Sequence, residues 1–100
     1  MPQAHRVDAY IIDALMPDLV GHDRQPSAFI VYLYLWCHSR GRRERTVAAS
    51  LHQIGADTGL SKSAVQQAIR RLKQRRLLQS RQRSPTSIPE YVVATPWVRN

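Results

Sequence analysis

The run Ser50–Leu78, SLHQIGADTGLSKSAVQQAIRRLKQRRLL, constrains the fold of this chain more than any other stretch. Ser50 and Gln53 have the Ser-x-x-Gln spacing of a capping box, in which each side chain satisfies a free backbone N–H at a helix start. A short helix is expected over Leu51–Thr58, ending at Gly59, a residue that enters the left-handed conformation without steric penalty. Ser61 is the next N-cap, and a second helix is expected over Lys62–Arg76. Only Gly59, Leu60 and Ser61 separate the two, so they must meet at a tight corner. Small residues stand where they approach, and Leu51, Ile54, Val65, Ile69 and Leu72 can bury together across it.

At 100° per residue the second helix has one inward stripe, Val65, Ala68, Ile69 and Leu72. Ser63, Gln67, Arg70 and Gln74 fall on the opposite face, with Gln66 and Lys73 on one flank and Arg71 on the other. A merely solvated helix face usually mixes Glu with Lys, whereas this helix has no acidic residue. Two helices at a tight corner, the second carrying an acid-free polar face, are the helix-turn-helix arrangement, whose second helix enters the DNA major groove. Gln pairs with adenine N6 and N7, and Arg with guanine O6 and N7. Residues early in such a helix reach base edges first, which makes Lys62, Ser63, Gln66, Gln67 and Arg70 the candidate readers. Ser61, Arg71, Lys73 and Gln74 are the candidate phosphate contacts.

Leu77–Arg81 and Glu90–Ala94 read as two strands joined by Gln82–Pro89, a hairpin directly after the second helix. Arg81 and Arg83 sit at its tip or shoulder, where they can touch backbone phosphate or simply keep the hairpin soluble. Arg75 and Arg76 close the helix and complement its dipole, which gives them a structural reading beside a phosphate one.

The charge distribution bears on the partner. The formal net charge is +8. Residues 1–38 hold two basic side chains against four acidic, a net −2, while residues 39–100 hold thirteen against three, a net +10. So concentrated a positive charge attracts a polyanion, either nucleic acid or an anionic membrane surface. The longest apolar stretch, Ala28–Cys37, is short of the roughly 18 residues a membrane span requires. No basic-then-apolar leader opens the sequence, and the lone Cys37 has no partner for an internal disulfide, which favours the cytoplasm.

The first quarter of the chain reads as a helical extension. Val7, Tyr10, Ile11, Ala14 and Leu15 recur on one helical face, Pro17 stops or kinks that helix, and Leu19–Gln25 looks like a connector broken at Gly21. The aspartates at 8, 13, 18 and 23 share no helical face and read as solvated charges. Pro26-Ser27 then opens a helix to about His38 that is apolar nearly all round. A helix without a polar face is covered on more than one side, here by the N-terminal helix, the rest of the domain or a second subunit. Arg40–Arg45 is a charged loop and Thr46–Ala49 a short strand.

The block Thr58-Gly59-Leu60-Ser61-Lys62-Ser63-Ala64-Val65, followed by Ile69 to Leu78, resembles winged-helix transcription regulators, especially the DNA-binding domain of GntR-type repressors. The resemblance spans about Ser50 to Val93. Arg76 stands where that family usually has a glycine, and the wing contains prolines. Similar winged helices occur in plasmid and phage replication initiators. The resemblance implies binding of duplex DNA through Lys62, Ser63, Gln66, Gln67 and Arg70; it implies no small-molecule ligand, since no effector domain is present.

The expectation is therefore an α+β, mainly α, winged helix-turn-helix domain over residues 26–100 with an N-terminal helical extension over 1–25. It binds double-stranded DNA without catalysis or cofactor, as a transcription regulator, and dimerises through its N-terminal third. A replication or partition factor shares all these features. A winged helix docking its basic face on an acidic protein is the rival from another class. No glycine-rich phosphate loop, nucleophile elbow or paired-carboxylate pattern occurs, and no His or Cys pair has zinc-ligand spacing.

Overall fold

The computed structural model describes residues 4–41 and 44–98. Arg42 and Arg43 of the charged loop lie outside the described residues. Two π-helical segments, Ile11–Leu15 and Pro17–His22, come first. They are followed by α1 (Pro26–His38), β1 (Arg45–Ala48), α2 (Leu51–Thr58), α3 (Lys62–Gln74), β2 (Leu78–Arg81) and β3 (Glu90–Val93). The strands form an antiparallel sheet in the order β1-β3-β2, with Leu78 opposite Val93 and Arg45 opposite Val93 on its other edge. The α+β class is as expected, and the layout is compatible with a winged helix.

The N-terminal quarter differs most from expectation. Pro17 does not stop the helix: residues 9–22 are helical throughout, Gly21 lies inside the second segment, and the connector expected from Leu19 begins only after His22. Proline has no N–H and crowds the carbonyl four residues back. The chain passes it in wide turns, with the Met16 N–H bonding to the Ile11 carbonyl. The buried side chains are Ile11, Leu15 and Leu19, four residues apart. Tyr10 is largely exposed and instead stacks on Trp97 near the other end of the chain, ring centroids 4.7 Å apart.

These segments share one core with the rest of the protein. Ile11, Leu15 and Leu19 join Tyr32, Leu35, Val65, Leu72, Tyr91 and Val93 in a single buried cluster. Helix α1 lies at its centre, packed by the Pro17–His22 segment, by α3 and by the sheet. Its polar handles are satisfied: the Tyr32 hydroxyl donates to the Ala94 carbonyl (2.8 Å) and the Trp36 indole N–H to the Arg6 carbonyl (2.9 Å). Burial pushes the Tyr32 hydroxyl well above its ordinary pKa. Arg45 lies over the Trp36 ring at 3.9 Å and donates to Ser39 Oγ, so it is part of this packing.

The helix corner forms as its caps require. Ser50 Oγ accepts from the Gln53 N–H (3.0 Å), but the Gln53 side chain turns to Asp57, so half of the capping box forms. Gly59 takes φ 81°, and Ser61 Oγ accepts from the Ala64 N–H (3.1 Å). Gly55 lies where the corner is tightest, since a Cβ there would stand 2.9 Å from the Leu60 carbonyl oxygen. Helix α3 ends at Gln74, two residues before the expected Arg76. Arg76 adopts φ 58°, its N–H bonds to the Lys73 carbonyl and the Leu77 N–H to that of Leu72. This is a Schellman cap, with arginine in the left-handed position that glycine fills at least steric expense.

Two substitutions test this account by urea or thermal unfolding. Gly55→Ala improves helix propensity by about 1 kcal/mol but pushes against fixed backbone, and a net loss of about 1 kcal/mol is expected. Arg76→Gly relieves the left-handed arginine, and a gain of about 1 kcal/mol is expected.

Candidate nucleic-acid interface

Helix α3 turns Val65, Ala68, Ile69 and Leu72 into the core, the stripe its sequence specified. Lys62, Ser63, Gln66, Gln67, Arg70, Lys73 and Gln74 are all exposed on the other side, and Arg71 is half-buried. Ser61 is exposed, but its hydroxyl is engaged as the helix cap.

Two concave surfaces flank this helix. On one side an open trough of about 1030 Å³ runs between α3 and the hairpin. Lys62, Gln66, Arg70 and Lys73 belong to its helix wall, Gln82, Ser87 and Ile88 to its hairpin wall, and no carboxylate of the described residues lines it. On the other side a cavity of about 420 Å³ is lined by Gln67, Arg70, Arg71 and Gln74 together with Arg24 and Gln25 of the connector. Arg70 is the ridge between them. The two flanks of the sequence reading thus acquire neighbours: Gln66 and Lys73 face the hairpin, Arg71 the connector.

The hairpin loop has internal order. The Ser87 N–H bonds to the Ser84 carbonyl (3.1 Å) across a turn with Pro85 in its second position, where a fixed φ suits the bend. Gln82 Nε2 donates to the Ser87 carbonyl (2.6 Å). Arg83 is exposed beside this turn. Arg81 ends β2, paired with Glu44 (2.6 Å) and Glu90 (3.2 Å). The Glu44 hydrogen bond pushes its pKa further up, and its charge is compensated within the protein.

Of the four aspartates expected to be solvated charges, Asp13 is exposed as expected, whereas Asp8, Asp18 and Asp23 are engaged within the protein. Arg75 pairs with Asp18 and faces Asp23 at 3.4 Å, an ion contact without a hydrogen bond. Asp23 is almost fully buried there, with a side-chain exposure of 5%. Asp8 accepts from the Trp97 indole (3.2 Å). Asp57 accepts from the Tyr34 hydroxyl (2.5 Å) and from Gln53, and both bonds hold its carboxyl below the ordinary range. Asp18, His22 and Asp23 converge enough to offer metal ligands. Both carboxylates face Arg75, however, and the cluster reads as an ion pair whose counter-charge is that guanidinium. Sequence reasoning missed this pairing because the partners lie more than fifty residues apart. Burial pushes the half-buried Cys37 thiol up, away from the reactive thiolate.

No protein family, curated protein or solved structure gives a significant match to the chain. Among the described residues no helix is long and apolar enough to cross a membrane.

Arg75→Ala leaves the buried Asp23 carboxylate without its cation. A loss of about 1–3 kcal/mol is expected in urea unfolding at pH 7, less than for a fully buried pair because Asp18 and Arg75 are partly solvated. Equal stability of variant and parent counts against a structural Arg75.

Proposed function

We propose that this protein is a winged helix that binds duplex DNA as a transcription regulator, with α3 in the major groove and the Gln82–Pro89 loop on the backbone. The observation that carries the reading is the face of α3: seven exposed polar or basic side chains, no acid, bordering a trough without a carboxylate. The element order α1-β1-α2-α3-β2-β3, with the hairpin directly after the second helix of the corner, supports the wing assignment. Lys62, Ser63, Gln66, Gln67 and Arg70 read base edges, while Lys73, Gln74, Arg71 and Arg83 grip phosphate. A replication or partition factor would use the same surface, and the sequence it selects from a random duplex library separates the two roles.

One observation favours docking of an acidic protein segment instead. Ile88 is 63% exposed on the hairpin wall of the trough, an apolar side chain that a partner could cover. Salt dependence divides the two readings. Phosphate neutralisation gives a linear fall of log K with log[salt], about 0.9 per phosphate. No binding to random duplex at low salt overturns the DNA reading. If it stands, Gln67→Ala and Arg70→Ala each lose about 1–3 kcal/mol of discrimination between sequences, whereas Arg83→Ala weakens all sequences alike.

The homodimer draws its support from the strip of α1 left uncovered, where Ile30 is 41% exposed and Leu33, Tyr34 and Cys37 are half-buried at i+3, i+4 and i+7. Two copies meeting there present two α3 helices to half-sites about one DNA turn apart. A single-chain mass by sedimentation at micromolar concentration overturns the dimer.

A further inference from the structure

A helix in the major groove runs between two phosphate backbones, and a wing on one flank leaves the other to be held by something else. The flank of α3 away from the hairpin carries the cavity of about 420 Å³, which joins three arginines, 24, 70 and 71, to three glutamines, 25, 67 and 74. None of the three guanidiniums is in an ion pair among the described residues, although Asp23 precedes Arg24 in the chain, because that carboxylate is turned onto Arg75. The Gln25 side-chain oxygen accepts from Arg71 Nε (3.1 Å) and fixes the orientation of that guanidinium.

Arg24 stands in an unfavourable place. It ends the Pro17–His22 segment at φ 53°, with the Gln25 N–H bonding back to the Leu19 carbonyl. Glycine fits that conformation better than arginine, so the side chain is not there for the backbone. Arg76 takes the same conformation but lines neither concave surface, so it is the place of Arg24 in the cavity that carries the inference.

We propose that Arg24 and Arg71, with Gln25 as the positioning residue, form a seat for a DNA backbone phosphate on the flank of α3 opposite the wing. The connector is then a third element of the interface, and α3 is held in its groove from both sides. The inference rests on the DNA reading above. Gln67 and Gln74 line the same cavity and are exposed on the reading face, so the seat is continuous with it.

The test is fluorescence anisotropy of the full chain with a random duplex across a salt series. Arg24→Gly is expected to fold at least as stably as the parent, yet to bind roughly five- to tenfold more weakly at 0.1 M salt with a slope lower by about 1. Arg24→Lys keeps the slope. Arg76→Gly removes the same charge at the same kind of helix end but lines neither concave surface, and it also keeps the slope. A parental slope in Arg24→Gly overturns the seat while leaving the DNA reading intact. Equal losses in Arg24→Gly and Arg76→Gly overturn it too, since net charge alone would then explain them. No binding by the parent overturns the DNA reading and the seat together.

Discussion

Helix α1 carries thirteen residues without one Asp, Glu, Lys or Arg, and its last position is His38. Such a helix must be covered on more than one side, and the fold covers it except along the strip that carries Ile30. One side takes α3 and the sheet, another the segments before Pro26, and Tyr32 and Trp36 send their polar ends to backbone carbonyls at opposite ends of the chain. This requirement explains why Ile11, Leu15 and Leu19 are in the same core as α3. Residue 25 divides two stretches of sequence, not two hydrophobic cores. It also sets where α3 sits: pinned to α1 by Val65, Ala68, Ile69 and Leu72, it has only one face to offer outward.

Enclosing α1 also sorts the charges. The N-terminal segments bring Asp18 and Asp23 to Arg75, and the sheet brings Glu44 and Glu90 to Arg81. Asp57 is occupied by Tyr34 of α1 and by Gln53. Each pairing compensates an acid within the protein, Asp18 and Asp23 at the C-cap of α3 itself. An excess that the sequence shows only as a difference between residues 1–38 and 39–100 becomes, in space, a helix face whose cations have no counter-charge among the described residues. At a Debye length of about 8–10 Å, such clustering matters more to a polyanion than the total of +8.

What could be read in advance was local. Ser50, Gly59 and Ser61 announce the two helices through side-chain and backbone bonds that reach at most four residues, and the apolar period of α3 needs only its own thirteen residues. The connector expected from Leu19 is helical to His22 because Gly21, a local breaker, is overruled by a non-local demand, the burial of Leu19 against α1. The same blindness applied to Trp97, which meets Tyr10 and Asp8 across nearly the whole chain. The face of α3 was legible in its residues, whereas its two flanking concavities were not, since the connector and the hairpin that wall them are distant in sequence.

Those flanks bear on the choice of partner. An acidic protein segment lying in the trough engages Lys62, Gln66 and Lys73 and makes no use of the cations on the far side of the Arg70 ridge. On the proposed reading duplex DNA meets both, because its phosphates line each edge of a groove about 12 Å wide, which an α-helix fills. Arginine is also the residue suited to phosphate, through its fixed fork of donors, and the connector side adds Arg24 and Arg71 to the shared Arg70, with no lysine in its lining. Ile88 is a single apolar side chain on the opposite wall. The distribution of cations on both sides of one acid-free helix is therefore the stronger argument, and it favours DNA over a docked peptide.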